Sequence, residues 1–299
     1  MTATAFTAKD VAELRARTGA GMMDCKKALD EALGNMDLAI ELLRKKGMAK
    51  ADKRIDRLAS EGQIALIVAP DGQRGTLIEV NSETDFVGRN DEFVAFSKAV
   101  AEHVAQDENV NGIVQVGASG ELLDAKWHTD GSRTVGEVVK GMSARTGENV
   151  VLRRIARFST DGVIGTYLHH NGKVAVLVEL GGATGEAVAS AARSVAEHIA
   201  AGVPAVPVSV HRDQVPAELV EKERRIFEEQ AKASGKPEAI VKKMVEGKVE
   251  AYYKDHTLLS QPWIKEPRKS VGDLIKEASA KVGENIQVRR FVRYQMGEE

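Results

Sequence analysis

The chain has 299 residues, 43% of them hydrophobic and 29% charged, with a formal net charge of −2; it is globular and long enough for two or more domains. A near-zero charge and 4% aromatic content argue against bulk nucleic-acid binding, which needs a basic surface and stacking platforms. With Cys25 as its single cysteine it forms no intrachain disulfide, which fits a reducing compartment.

Met1–Phe6 has neither a basic n-region nor an apolar h-region, and no run approaches the roughly 20 apolar residues of a membrane span; a cytoplasmic protein without a membrane partner is expected. Helices are predicted at Asp10–Arg17 (Val11 and Leu14 inward), Met22–Leu33 (Met22, Cys25, Leu29 and Leu33 at helical spacing) and Asp37–Lys46 (Leu38, Ile40, Leu42 and Leu43). Thr18–Gly21 and Gly34-Asn35 separate them. Residues 1–47 thus read as a small three-helix module resembling the ubiquitin-associated fold. The polar, basic stretch 48–61 reads as a linker helix.

Beyond it the chain is duplicated. Thr134–Glu137, Gly147–Asn149 and Arg153–Phe158 recur at a constant spacing of 136 as Ser270–Asp273, Gly283–Asn285 and Arg289–Tyr294. Gly62–Ile64 and Asp71-Gly72 recur 100 residues on, while Val100–Ala105 recurs 95 residues on as Val195–Ala200. Gln63–Ala69 with Thr76–Val80, and Val163–Leu168 with Val174–Leu180, alternate as hairpin strands around Asp71-Gly72 and Asn171-Gly172. Val150–Phe158 is a closing strand. The expected fold class is α+β: the helical module, then two duplicated subdomains (62–158 and 159–299), each an antiparallel sheet covered by helices. The second carries an insertion at 214–256. There Pro216–Ala233 and Pro237–Asp255 read as an antiparallel helical hairpin, each helix about 27 Å long. Leu219, Ile226 and Phe227 are expected to face Val241, Met244, Val245, Val249 and Tyr252.

Motifs for covalent chemistry are missing. Before Gly172-Lys173 and Gly247-Lys248, Tyr167 and Lys242 stand where a phosphate-binding loop needs its first glycine. Gly19-Ala20-Gly21 follows a helix and is no dinucleotide fingerprint. No His-Glu-x-x-His and no cysteine cluster supports a metal, so no cofactor is expected. Cys25 reads as a core residue, His169-His170 as surface residues, and His103 and His198 as equivalent packing residues. Arg153-Arg154 and Arg289-Arg290 lie on strands, either on a solvated or salt-bridged sheet face or in a nucleic-acid patch.

The fall in spacing from 100 to 95 leaves five extra residues in the first repeat, within Asn81–Asn90; the second has only Gly181–Gly185 there. The extra segment holds Thr84, Asp85, Phe86 and Val87. Phe86 is either a core anchor or an exposed wedge at a strand-to-helix corner. Because the sister repeat builds the same fold without this segment, the wedge is favoured.

Three segments resemble the bacterial elongation factor Ts family: Arg17–Leu29, Thr84–Val87 following Glu79-Val80-Asn81, and Met244–Gly247 with Leu258–Pro262. The resemblance runs over about residues 6–297. It implies a guanine-nucleotide exchange factor for elongation factor Tu that is not an enzyme. It further implies that Thr84, Asp85, Phe86 and Val87 displace the partner's Mg²⁺, that Arg15, Met22 and Met23 contact the same nucleotide domain, and that the second subdomain, around His169 and His198, holds other domains of the partner. Ser82 stands where a cysteine is common in the family. Some members have a further C-terminal helix where this chain stops at Gly297-Glu298-Glu299. Two rival classes are a ubiquitin-associated-type adaptor, which leaves the extra segment unexplained, and an RNA-binding translation factor using the linker lysines and paired arginines.

Overall fold

The computed structural model describes residues 6–116, 120–233 and 235–298. Met1–Ala5, Ser234 and Glu299, which entered the reading of the leader, the hairpin turn and the C-terminus, lie outside the described residues. In chain order the elements are α1 (Ala8–Thr18), α2 (Met22–Glu31), α3 (Met36–Asp52), β1 (Glu61–Val68), β2 (Arg74–Ser82), α4 (Asp85–Gly88), α5 (Asp91–Gln106), β3 (Gly112–Gln115), α6 (Glu121–Asp124), β4 (Lys126–Trp127), β5 (Asp130–Thr134), α7 (Val135–Thr146), β6 (Val151–Ser159), β7 (Val163–Leu168) and β8 (Val174–Gly181), then α8 (Glu186–Ala201), α9 (Ala217–Lys232), α10 (Glu238–His256), β9 (Pro262–Trp263), β10 (Glu266–Ser270), α11 (Val271–Val282) and β11 (Gln287–Gln295). The fold class is α+β, with three N-terminal helices ahead of the sheets. The chain divides into two units, one built on residues up to Ile67, Ile78–Ala156 and Met296 onward, the other on Val68–Leu77 and Arg157–Gln295. Among the described residues no helix is long and apolar enough to cross a membrane.

In the first unit the three helices are set by local signals. Thr7 caps α1 in a capping box with Asp10, and Gly19 ends it in the left-handed region at φ 69°. Asn35 caps α3 through a 3.0 Å bond from the Leu38 amide. Val11, Leu14, Cys25, Ala28, Leu29, Ala39 and Leu43 make a small core. Three expectations need correction. Leu33 lies past the end of α2 in the left-handed region at φ 52° and is exposed. Leu38 is exposed while Ala39, one position on, fills the buried face of α3. The third helix also continues from Lys46 to Asp52. Its Gly47 packs so closely that a Cβ there would sit 2.8 Å from Ala144 Cβ on α7.

The rest of this unit is a sheet of order β1-β2-β6-β3, with α5 and α7 packing Phe93, Phe96, Val100, Val104 and Met142 against Ile78, Val80, Leu152 and Ile155. The second unit repeats the plan. Its antiparallel sheet has the order β11-β8-β7, and Val176, Val178 and Leu180 pack against Val188, Val195 and Ile199 of α8 and Ile275 of α11.

The duplication is deeper than the matched residues indicated. Thr134 with Glu137 and Ser270 with Asp273 form matching capping boxes at α7 and α11, and Gly147 and Gly283 end those helices at φ 78° and 74°. The hairpin β4–β5 that leads into α7 recurs as β9–β10. Each repeat also buries one glutamate against its paired arginines. Glu79, with no exposed side-chain surface, lies 2.6 Å from Arg154 Nε and 3.6 Å from Arg153. Glu179 lies 2.6 Å from Arg290 Nε and 3.3 Å from Arg289. The arginine pairs are therefore salt-bridged.

The insertion is a helical hairpin. Pro216 and Pro237 occupy the N-cap positions, so the helices begin at Ala217 and Glu238, one residue later than expected. Val241, Val245 and Val249 face α9 as expected, but the buried positions on α9 are Val220 and Ala231, with Phe227 partly buried. Leu219 is only half-buried and Ile226 is exposed; the apolar stripe of α9 runs one residue further round than its largest side chains suggest.

Candidate functional site

Strand β2 leads into the segment that only the first repeat possesses. After Ser82, whose hydroxyl donates to the Thr84 carbonyl at 3.0 Å, Thr84 caps the single turn α4 by accepting from the Val87 amide at 3.4 Å. Asn90 then caps α5 through the Glu92 amide at 2.8 Å. Val87 packs onto the core of the unit. Helical geometry rotates each residue by about 100°, so with Val87 turned inward its neighbour faces away: Phe86 is 84% exposed. Phe86 is therefore no core anchor. Asp85 pairs with Arg89 at 3.1 Å across the turn.

The corner is held from both sides. At its end, Gln63 Nε2 donates to the Gly88 carbonyl at 2.6 Å, and a Cβ on Gly88 would meet the Gly62 Cα and carbonyl oxygen at 2.9 Å. At its start, the Glu148 carboxylate accepts from the Glu83 amide (3.1 Å), the Thr84 amide (3.0 Å) and the Thr84 hydroxyl (2.6 Å). Glu83 in turn accepts from the Asn149 amide at 2.6 Å. Asn149 Nδ2 donates to the carbonyls of Arg57 (2.8 Å) and Ile55 (3.2 Å). Glu148, Asn149, Gln63 and Gly88 were not among the expected site residues. Gly147-Glu148-Asn149 was visible only as a repeat marker.

The other expected residues lie in two places. Arg15, Met22 and Met23 share the corner between α1 and α2, where the Gly19 amide donates to the Arg15 carbonyl at 2.8 Å. Arg15 is exposed, and so are Met22 (46%) and Met23 (64%) at the start of α2. His169 belongs to the second unit. It is half-buried at the β7–β8 turn, its Nδ1 2.9 Å from the Tyr167 hydroxyl and its ring 4.2 Å from that of the exposed His170.

His198 requires a correction. It is 1% exposed, so in the free protein its side chain does not reach the surface as a partner-contact residue was expected to. The ring ties α8 to the stretch 261–264, with Nε2 2.9 Å from the Gln261 side-chain Oε1 and Nδ1 accepting from the Ile264 amide at 3.3 Å. Burial lowers its pKa below the ordinary histidine value, opposed in part by the Gln261 bond. Its counterpart His103 accepts from the His128 amide at 3.2 Å and stacks on Trp127 at 5.0 Å. Its pKa is lowered by burial first and by His128 second. The packing role read for this pair is the one their geometry supports.

Among the described residues no group of three or more histidine, cysteine, aspartate or glutamate side chains is placed to hold a metal. Cys25 is buried and free. A cleft of about 610 Å³ in the first unit runs past Gly19, Ile40, Phe96 and Trp127. Charged side chains on its rim pair with one another, as in Arg145–Glu92 (3.0 Å) and Lys50–Asp24 (3.0 Å). What the Thr84–Val87 corner offers a second molecule is an apolar ring on a braced support with a carboxylate beside it.

The family described as Elongation factor TS matches residues 83–298. The chain is 45% identical over 295 residues to an elongation factor Ts of Clostridium perfringens, covering 98% of this chain and 93% of that protein. It is 41% identical over 295 residues to an elongation factor Ts of Aquifex aeolicus, covering 98% of each. It is 44% identical over 293 residues to one of Prosthecochloris aestuarii, covering 98% of this chain and 99% of the relative.

Proposed function

The chain belongs to the elongation factor Ts family, and from that premise we propose that this translation elongation factor is the guanine-nucleotide exchange factor for elongation factor Tu. In this reading it binds Tu·GDP in the cytoplasm and promotes GDP release without covalent chemistry of its own. The observation that carries the reading is the 84% exposure of Phe86 on a braced turn that the sister repeat lacks. An aromatic side chain exposed in the free protein gains burial only in a partner, and buried aromatic anchors dominate interface energetics.

Phe86 and Asp85 would enter the partner's nucleotide domain beside its Mg²⁺. That ion demands near-octahedral geometry and bridges the GDP phosphates, so displacing the surrounding helices by a small distance weakens both metal and nucleotide. The exposed Arg15, Met22 and Met23 would seat the same domain, and the second unit, around His169, another. Exchange is then a coupling free energy: the factor weakens GDP binding, and GDP weakens the factor's binding by the same ratio. The deciding experiment is release of a fluorescent GDP from Tu with and without this protein. Unchanged release at saturating protein would reject the exchange reading, and so would a micromolar GDP site on this chain alone.

A further inference from the structure

Resting on the exchange reading, we infer that Glu148 is the positioning residue of the Phe86 corner: its carboxylate holds Glu83 and Thr84 in the shape that projects Phe86 and Asp85. A single helical turn has no independent stability, because nucleation fixes several residues for one hydrogen bond. The direction of α4 must therefore come from outside it. Glu148 supplies three charge-assisted bonds at its entry, two from backbone amides and one from the Thr84 hydroxyl at 2.6 Å. The brace is reciprocal, since Glu83 accepts from the Asn149 amide at 2.6 Å. Asn149 ties the same turn to the carbonyls of Ile55 and Arg57.

The duplication supplies an internal control. Gly283-Glu284-Asn285 repeats the tripeptide after α11, yet Glu284 and Asn285 are both exposed, whereas Asn149 is buried and Glu148 half-buried. In the second repeat Gly182 takes the place of the braced corner. It passes so close to Asn285 that a Cβ on it would sit 2.0 Å from the Asn285 carbonyl oxygen, so no side chain fits there. The carboxylate is engaged only where there is an exposed aromatic to orient.

Glu148 touches no nucleotide in this scheme. It acts by sparing the complex the ordering of a loose turn, which is the general benefit of preorganisation. Glu148→Ala is expected to lower the maximal Tu·GDP release rate about tenfold. The factor concentration for half-maximal release should change little, because the α1–α2 surface is untouched. The decisive readout is a cycle with Phe86→Ala. If Glu148 acts through the corner it projects, the loss in the double variant falls well short of the product of the two single losses. Hydrogen exchange at the Glu83 and Thr84 amides should accelerate in Glu148→Ala while the amides of β2 and β6 stay protected. Glu148→Gln, which keeps an acceptor oxygen, should recover part of the rate.

Multiplicative losses in the double variant, or wild-type release by Glu148→Ala, would overturn the inference. If Glu148→Ala melts early, Thr84→Val cuts the 2.6 Å bond from the other side and must show the same non-additivity. Wild-type protein that fails to stimulate release would overturn the exchange reading and this role with it; the amide exchange would then report only that the brace exists.

Discussion

Phe86→Ala separates an interface residue from a structural one because the structure assigns it almost no structural work. With 84% of its surface already in water, truncation removes little burial from the free protein, and its stability should change by no more than about 0.5 kcal/mol. In a complex that buries the ring, the loss is about 1.5–3 kcal/mol, or roughly ten- to 150-fold in affinity for the nucleotide-displaced state. Phe93, seven residues on and fully buried, is the matched control. Phe93→Ala should cost about 3–5 kcal/mol of folding stability. Thermal melts of the two free variants and stopped-flow release of fluorescent GDP from Tu give the comparison. A melting-temperature loss in Phe86→Ala comparable to that of Phe93→Ala would refute the reasoning from exposure. Normal release with normal stability would remove Phe86 from the mechanism.

The two buried ion pairs should differ in weight. Glu79→Ala removes the carboxylate 2.6 Å from Arg154 Nε, a guanidinium whose side chain is only 9% exposed, at a cost of up to about 3–5 kcal/mol. Glu179→Ala should cost less because the Arg290 side chain is 37% exposed and can recruit water; equal denaturation midpoints would contradict this. Gly88→Ala should destabilise by about 1–3 kcal/mol and slow exchange, since the new Cβ meets backbone atoms of Gly62; a neutral effect on both would show that the corner yields. Acid should weaken the fold through two buried histidines. His103 and His198 have pKa values lowered by burial. The unfolded chain therefore takes up protons as pH falls through about 6.5, while the folded chain does so only at lower pH. Stability is lost in that window, by at most about 1.4 kcal/mol per pH unit for each histidine. His198→Gln should flatten the dependence of melting temperature on pH between 7.5 and 5.5, and an unaltered slope would show that His198 does not carry it.

Features encoded within a few residues were legible in the sequence. The hairpins around Asp71-Gly72 and Asn171-Gly172 formed as read because the left-handed backbone at Gly72 and Gly172, φ 70° and 68°, is a local demand that glycine meets. The matching capping boxes at Thr134 and Ser270 are likewise spelled within four residues. The duplication pointed to the five-residue excess that carries Phe86, since a fold built twice shows which segment it does not need. Misplaced side chains such as Leu33, Leu38 and Leu219 sit where hydrophobicity alone decides nothing. A helix that ends two residues early, or a stripe that turns by one position, moves a leucine from core to solvent.

The sequence by itself thus determined the α+β class, the repeat and the segment that breaks it. Tertiary structure decided what each polar group does, because the partners of those groups lie far away along the chain. Thr84 and Glu148 are 64 residues apart, His198 and Gln261 are 63, and Glu79 and Arg154 are 75. No local pattern announces such pairs. A carboxylate exposed at Glu284 and one braced against Thr84 at Glu148 occupy the same tripeptide, and only the packing around them tells them apart. The same holds for His198, whose repeat position was clear but whose bonds to the Gln261 side chain and the Ile264 amide only the packing reveals.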